Sequence, residues 1–193
     1  FLSFCLLKST PGASLTVDFE TDRDGHVYTD GSWSLKDGSI RILDTGKRLY
    51  GDKNLGDYTV EVKITPMGAS NCGLLVRATN PGAPNFMADT PTAADALVGT
   101  DWVEGYFVGL TPDGVILGKQ SYGYEELAHA EGRFEAGKTY HLKVVCQGAR
   151  LRIFVDGTLC VDYTDPAPFM QGMVGIRTHK CSAAFDDLKV TSD

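Results

Sequence analysis

The chain has 193 residues, 42% of them hydrophobic, and a formal net charge of −7. This length is enough for one large β domain or two small domains. The negative charge argues against nucleic acids and anionic membrane surfaces as partners, because both repel an acidic surface.

Glycine, proline and cysteine usage narrows the class of fold. Twenty-two glycines and eight prolines predict many turns and short strands instead of long helices. The five cysteines lack the paired spacing of a zinc site, and their odd number leaves at least one thiol without a disulfide partner. The sequence neither requires nor excludes a disulfide. No apolar run is long enough to span a bilayer.

The chain divides into a short leading segment and one domain. Residues 1–13 are predicted to be an N-terminal segment or a linker from a preceding domain, and residues 14–193 to form the domain. Residues 14–20 alternate apolar and polar side chains, which is typical of a strand with one solvated face. Residues 32–43 contain two further strands around Asp37-Gly38, a dipeptide that favours a β-hairpin turn.

Two strands near the middle of the sequence are predicted to pair as a hairpin. Residues 58–64 alternate large apolar with polar side chains, and a turn rich in Pro, Gly, Ser and Asn follows. Residues 73–79 are apolar on both faces except for Arg77. Because a guanidinium stays charged, we expect it to meet the sheet edge, water, a ligand, or an acid such as Asp101 or Glu104.

The second half of the sequence continues this pattern after one interruption. Residues 81–101 contain three prolines and little periodicity, which predicts a long functional or mobile loop. Strands resume at residues 103–110 and 115–120, and residues 125–133 are predicted to form a short turn of helix. Residues 140–163 form a three-strand meander, and two strands close the chain. About a dozen short strands predict an all-β fold, an antiparallel two-sheet β-sandwich.

The closing block of the sequence resembles the end of a concanavalin-like (laminin-G-like) jelly-roll domain. It contains a Tyr-x-Leu-x-Val strand at residues 140–144, Val-Asp-Gly at 155–157, Gly-Met-Val-Gly-Ile-Arg at 172–177 and Phe-Asp-Asp at 185–187. Two groups are similar over nearly the whole chain from Leu15 onward. They are the levan-type carbohydrate-binding modules attached to glycoside hydrolases and the lectin-like C-terminal domain of galactocerebrosidase. The resemblance implies a secretory location: extracellular, periplasmic or lysosomal.

The galactocerebrosidase-type domain also implies a structural calcium ion. There, an Asp-x-Asn motif after a glycine, the aspartate of the terminal Phe-Asp motif and a main-chain carbonyl hold the ion. Asp52, Asn54 and Asp186 stand at the matching positions, and calcium prefers such oxygen ligands. The alternative is that Asp52 and Asn54 only hydrogen-bond within a turn.

The sugar-binding relatives imply a ligand site at the sheet face or its rim. A guanidinium donates to vicinal hydroxyls, carboxylates accept from others, and an aromatic ring covers the apolar side of the sugar. Each candidate has a structural alternative, such as an ion pair for Arg77 or core packing for Tyr106. The predicted ligand-binding residues are Arg77, Asp101, Trp102, Glu104, Tyr106, Lys119 and Tyr122, with Tyr124 close by.

These residues leave three functions open. The leading prediction is a non-catalytic carbohydrate-binding module, attached in its parent chain to a catalytic glycoside hydrolase domain. The first alternative is a glycoside hydrolase of the same fold, which also occurs in glucanases and in hydrolases of keto-disaccharides. Hydrolysis needs paired carboxylates, and the sequence offers only single acids such as Glu61 and Glu104. The second alternative is a purely structural accessory domain.

Overall fold

The computed structural model describes residues 14–21, 25–79, 103–121 and 123–192, and it shows an all-β protein. The strands pair antiparallel throughout these ranges, in which no helix is long and apolar enough to cross a membrane. The strands are β1 (Ser14–Val17), β2 (Tyr28–Lys36), β3 (Ser39–Tyr50), β4 (Tyr58–Pro66), β5 (Cys72–Thr79), β6 (Glu104–Thr111), β7 (Gly114–Gln120), β8 (Tyr124–Glu131), β9 (Tyr140–Gln147), β10 (Arg150–Val155), β11 (Thr158–Thr164), β12 (Met173–Thr178) and β13 (Ala183–Ser192).

The strands form two layers that share one long strand. β11, β10, β9, β4 and β13 lie side by side in the first layer, and β12, β5, β6, β7 and β8 in the second. β3 belongs to both layers, since residues 40–42 pair with β13 and residues 46–50 pair with β12. Between these stretches Asp44 has a positive φ of 62°, a conformation that aspartate tolerates and that interrupts the regular strand.

The main hydrophobic core lies between the two layers. Alternation directs Val60, Val62 and Ile64 of β4 inward, and all three are fully buried. Leu74 and Val76 of β5 pack into the same core from the second layer. The predicted all-β antiparallel sandwich is confirmed.

The predicted central hairpin is wrong, although both of its strands exist. β4 pairs with β13 and β9, whereas β5 pairs with β12 and β6. Residues 67–71 therefore connect the first layer to the second instead of joining neighbouring strands. The apolar run in β5 reflects burial on both faces, as expected for a strand inside a covered layer.

The predicted helical turn at residues 125–133 is also wrong. Tyr124–Glu131 is strand β8, which pairs with β7 at the edge of the second layer. Its glutamates and alanines favour a helix locally, but β7 offers a row of backbone partners along its whole length. Tertiary pairing therefore outweighs local propensity here.

Two predictions fall on residues that the structure does not describe. These are the role of residues 1–13 as a leading segment or linker and the loop at residues 81–101. Both stay predictions. The meander at residues 140–163 is confirmed as β9, β10 and β11.

Substitution of Gly73 tests the close approach of β5 and β6. A Cβ atom at this position would overlap the carbonyl oxygen of Val108, so a side chain would push the two strands apart. We expect Gly73→Ala to lower the free energy of unfolding by about 1–3 kcal/mol, measured by urea denaturation. Gly68→Ala is the matched control, because a Cβ atom there meets nothing within 4 Å. Equal effects of the two substitutions would contradict the expectation.

Candidate functional site

A polar cluster joins the two layers at one end of the sandwich. It surrounds residues 165–172, which connect β11 in the first layer to β12 in the second. We call this group the end cluster, and its members are Asp57, Arg77, Tyr106, Lys119 and Asp165.

Arg77 is fully buried, and its guanidinium is hydrogen-bonded to protein atoms. A bulge interrupts β5 at this point, where Arg77 has a positive φ of 50°. Nη1 donates to the carbonyl oxygens of Gly148 and Phe169, at 2.6 and 2.7 Å. Nη2 donates to Asp57 Oδ1 at 3.1 Å. The charge is therefore matched by one carboxylate and two carbonyls.

The acid beside Arg77 differs from the sequence-based candidates. We expected Asp101 or Glu104, a ligand, or water, and the described partner is Asp57 on the loop before β4. Asp57 also accepts from the Gly148 N–H at 2.9 Å, so the same carboxylate holds the turn between β9 and β10.

Tyr106 and Lys119 converge on Asp165. The Tyr106 hydroxyl donates to Asp165 Oδ2 at 2.6 Å, and Lys119 Nζ donates to the same oxygen at 2.7 Å. Burial raises the pKa of the Asp165 carboxyl, but the hydrogen bonds from Lys119 and Tyr106 outweigh it and hold the pKa below its ordinary value. Burial, followed by the bond to Asp165, raises the pKa of the Tyr106 hydroxyl well above its ordinary value. At neutral pH, Tyr106 is therefore a neutral donor to an ionised Asp165.

The end cluster unites three of the predicted ligand residues. Arg77 and Lys119 donate to backbone carbonyls of residues 165–172, and the Tyr106 hydroxyl accepts from the Phe169 N–H at 3.0 Å. These contacts hold the connecting segment in place, and a direct ligand role for the three residues stays a prediction. The predicted ligand residues that lie outside the described part of the chain are Asp101, Trp102 and Tyr122.

Sequence reasoning missed the two acids of the end cluster. Asp57 precedes β4, and Asp165 follows β11 directly before Pro166. Aspartate at such positions usually signals only a turn. Neither residue carries a local sign of its partner, because both partners lie on strands distant in the sequence.

The strand register separates the predicted calcium ligands. Asp52 Oδ1 accepts from the backbone N–H and the Nδ2 of Asn54, at 2.8 and 2.7 Å, as in a turn. Asp186 pairs with Lys63, five residues along β4 from Tyr58, near which the loop containing Asp52 enters the strand. Five residues of strand correspond to roughly 17 Å. Within the described ranges no three His, Cys, Asp or Glu side chains form a group suited to a metal. Calcium binding stays a prediction.

The second layer is also covered on the face directed away from the main core, which we call the distal face. Glycines on this face lie beneath large side chains, in the pairs Gly109–Phe107, Gly118–Tyr124 and Gly175–Leu49. These close contacts require glycine, because a Cβ atom at each position would collide with the covering side chain. The apolar cluster of the distal face consists of Leu49, Leu75, Ala78, Val103, Phe107 and Ile116.

Two cations lie on the distal face beside aromatic rings. Arg177 Cζ lies 4.3 Å from the centroid of the Phe107 ring, and Lys47 Nζ lies 5.7 Å from that of Tyr28. Lys47 and Arg177 are opposite each other on β3 and β12, and both are buried. The aromatic faces stabilise these charges electrostatically. Sequence reasoning missed both cations, because the residue pattern of one strand does not show which side chains of other strands lie beside it.

The exposed part of the distal face lies on β7 and β8. Tyr124 pairs with Gln120, so both side chains lie on this face, and the Tyr124 ring covers Gly118 while the residue stays 52% exposed. Gln120 Oε1 is buried and accepts no hydrogen bond from the described atoms. Burial, followed by the charge of the exposed Glu126, raises the pKa of Tyr124. We call Gln120, Tyr124 and Glu126 the β7–β8 rim.

Glu104 lies outside the β7–β8 rim. It begins β6, directly after Val103 of the distal apolar cluster, and is half-buried. Glu104 pairs with Thr79 at the end of β5, so it lies on the same sheet as the β7–β8 rim. Among the candidate ligand residues that the structure describes, Glu104 and Tyr124 lie outside the end cluster.

The fold and the family of the chain follow from comparison with known proteins. The two-layer antiparallel arrangement is a galectin-like or concanavalin-like jelly roll. The chain belongs to the 3-keto-alpha-glucoside-1,2-lyase-like domain family, whose model matches residues 12–191. No curated protein sequence is significantly similar to the chain.

Solved structures share the fold at low sequence identity. The carbohydrate-binding module CBM66 from Bacillus subtilis is 21% identical, with a TM-score of 0.67 over 86% of this chain and 94% of that one. A Bacillus subtilis protein of unknown function with a galectin-like fold is 14% identical, with a TM-score of 0.70 over 95% and 97%. Domain 4 of AbnA, an extracellular arabinanase from Geobacillus stearothermophilus solved with arabinotriose, is 11% identical, with a TM-score of 0.54 over 94% and 82%. The predicted jelly-roll resemblance is confirmed.

Removal of the Arg77 guanidinium tests the end cluster. Arg77→Ala leaves two partly buried carbonyl oxygens without their donor and opens a cavity, so we expect a loss of about 3 kcal/mol in the free energy of unfolding. Arg150→Ala is the matched control, because it removes an ion pair with Asp162 at the surface, where such pairs contribute little to stability. Urea denaturation measures both. A loss for Arg77→Ala no larger than that of the control would contradict a structural role.

The lowered pKa of Asp165 predicts a dependence of stability on pH. A carboxyl whose pKa is lower in the folded state stabilises the fold above the unfolded pKa, about 3.9, and loses this contribution as the pH falls through the folded pKa. We expect Asp165→Asn to melt at a lower temperature at pH 7 and to show a shallower decline in melting temperature below pH 4. A decline as steep as that of the unmodified protein would contradict the expectation.

Proposed function

We propose that this chain is a carbohydrate-binding module whose ligand binds at the β7–β8 rim. The observation that carries the proposal is the half-exposed ring of Tyr124, which covers Gly118 at the edge of the distal face. An aromatic ring packs against the apolar side of a sugar, and a carboxylate accepts hydrogen bonds from sugar hydroxyls. The exposed carboxylate of Glu126 supplies such an acceptor on the same strand.

The end cluster supports the rim from the opposite face of β7. Lys119 directly precedes Gln120, and its bonds to Asp165 and to the Ala167 carbonyl fix the end of the strand. In this proposal Arg77, Tyr106 and Lys119 position the rim and do not contact the sugar. A fixed strand end keeps the rim ordered before ligand binds, which reduces the entropy lost on binding.

The nature of the structural neighbours supports the same class of ligand. One of them is a carbohydrate-binding module, and another is a domain of an extracellular arabinanase solved with arabinotriose. These descriptions concern those proteins, and they support a glycan as ligand for this chain. They also support a secreted parent chain that carries a catalytic glycoside hydrolase domain.

Substitution of Tyr124 tests the sugar site. A glycan array should identify a ligand, and isothermal titration calorimetry should then show binding at least about tenfold weaker for Tyr124→Ala, which corresponds to about 1.4 kcal/mol. Tyr124→Phe keeps the ring and should bind within a few-fold of the unmodified protein. Leu159→Ala, an exposed apolar position on β11, is the surface control and should change nothing. Undiminished binding by Tyr124→Ala would place the ligand elsewhere.

A second candidate function is elimination from a 3-ketoglucoside, which membership of the lyase-like family favours. The ketone acidifies the proton on C2, so a carboxylate base can remove it. The C1–O bond then breaks, a C1=C2 double bond forms, and the leaving oxygen takes up a proton. The candidate bases are Glu126 on the rim and Glu104, which begins β6 directly after Val103 of the distal apolar cluster.

Product analysis separates the two candidates. The lyase predicts release of the leaving alcohol from a 3-ketoglucoside and none from the matching glucoside, with loss of turnover in Glu104→Gln or Glu126→Gln. The binding module predicts a glycan ligand without turnover of either compound. Release of product that survives both substitutions would exclude these two residues as the base.

A further inference from the structure

Two free cysteines lie side by side at the end of the second layer opposite the end cluster. Cys72 begins β5, where it pairs with Thr178, and Cys181 lies in the turn between β12 and β13. The Asn71 N–H donates to Cys181 Sγ at 3.2 Å, and the His179 N–H donates to the Asn71 carbonyl at 3.0 Å. The turn is thus bonded directly to the first residues of β5. Both thiols are free.

The two thiols differ in access and in charge. Cys72 is fully buried, whereas Cys181 is 9% exposed. The hydrogen bond from the Cys72 thiol is the main cause that lowers the pKa of Cys181 to about 6, and the backbone donors Asn71 and His179 add to it. The same bond, with burial, raises the pKa of Cys72 well above its ordinary value. The lowered pKa gives Cys181 the greater thiolate character, and Cys72 is the donor of the bond between the two thiols.

Cys146, a further buried cysteine among the described residues, shows that burial alone does not lower the pKa of a thiol. Cys146 lies in the core beside the Tyr58 hydroxyl, and burial raises its pKa to about 12. A fully protonated thiol in such a site is a poor nucleophile. Reactivity is therefore expected at Cys181 and not at Cys146.

We propose that Cys72 and Cys181 form an oxidisable pair that closes to a disulfide in response to hydrogen peroxide. The Cys181 thiolate attacks one peroxide oxygen, the O–O bond breaks, and a sulfenic acid and hydroxide form. The Cys72 sulfur then attacks Cys181 Sγ, the S–O bond breaks, and the Cys72 proton leaves with the departing oxygen as water. In total, two thiols and one peroxide give one disulfide and two waters.

The disulfide would link two segments far apart in the sequence. It would join the start of β5 to the turn that follows β12, so most of the second layer lies between the linked residues. Such a link restricts the unfolded chain more than the folded one, so the oxidised protein should be more stable. Cys181 N also donates to the Asp44 carbonyl at 2.9 Å, so the link would lie where β3 passes between the layers.

Peptide mapping after oxidation tests the pair. The fully reduced protein is treated with hydrogen peroxide, the remaining thiols are alkylated, and the protein is digested without reduction. We expect a linked peptide containing Cys72 and Cys181 and a melting temperature several degrees above that of the reduced protein, both reversed by dithiothreitol. Cys160→Ser is the matched control and should keep both changes, since the half-buried Cys160 thiol bonds only to the Thr158 carbonyl among the described atoms.

Two variants distinguish the attacking cysteine from its partner. Cys72→Ser should lose the linked peptide and accumulate a sulfenic acid at Cys181 that a dimedone probe labels. Cys181→Ser should show neither the link nor label at Cys72. The proposal is overturned if peroxide gives no link between these residues in the unmodified protein, or if Cys72→Ser leaves Cys181 unlabelled.

Discussion

The buried guanidinium of Arg77 is the interaction on which the geometry of the molecule depends. It bonds at once to the loop before β4, to the turn between β9 and β10 and to the segment between β11 and β12. A buried cation is strongly destabilising without acceptors, so the parts of the chain that accept from Nη1 and Nη2 must take fixed positions around it. The same segment then meets Tyr106 and Lys119 through Asp165. The two layers are consequently held at a defined separation next to the β7–β8 rim.

The two faces of the second layer differ in how closely large side chains approach the sheet, and the glycines of the distal face explain the difference. On the core face, apolar side chains interlock with the first layer. On the distal face, glycines lie under Phe107, Tyr124 and Leu49, so large side chains can lie close to the sheet. This arrangement accommodates two cations against aromatic rings and leaves the ring of Tyr124 half-exposed. This half-exposed ring is the surface against which a sugar would pack in the proposed function.

The sequence predicted the strands far better than their partners. Alternation identified β4 and the β9–β11 meander, because side-chain direction follows local periodicity, and a continuous apolar run identified β5. It failed for the β4–β5 hairpin and for β8, because pairing depends on which faces are buried in the complete fold. The lone charge of Arg77 in an apolar strand predicts that it needs a partner. The sequence does not identify Asp57 as that partner, since the guanidinium reaches it from the bulge in β5. The sequence offers Tyr124 as a candidate ligand residue just beyond the strand at residues 115–120, whereas the contact of its ring with Gly118 is visible only in the structure.

The path of β3 through both layers has a consequence for how the domain comes apart. Hydrogen bonds of β3 join β13 in one layer and β12 in the other, and β2 follows β3 across the same passage. Neither layer can peel away while this strand keeps its partners, so partial opening is confined to the strands that pair with one neighbour, β1, β2, β8 and β11. Amide protons in β3 that bond to both neighbours should therefore exchange with solvent only when the whole domain unfolds. A single shared strand makes the sandwich one cooperative unit.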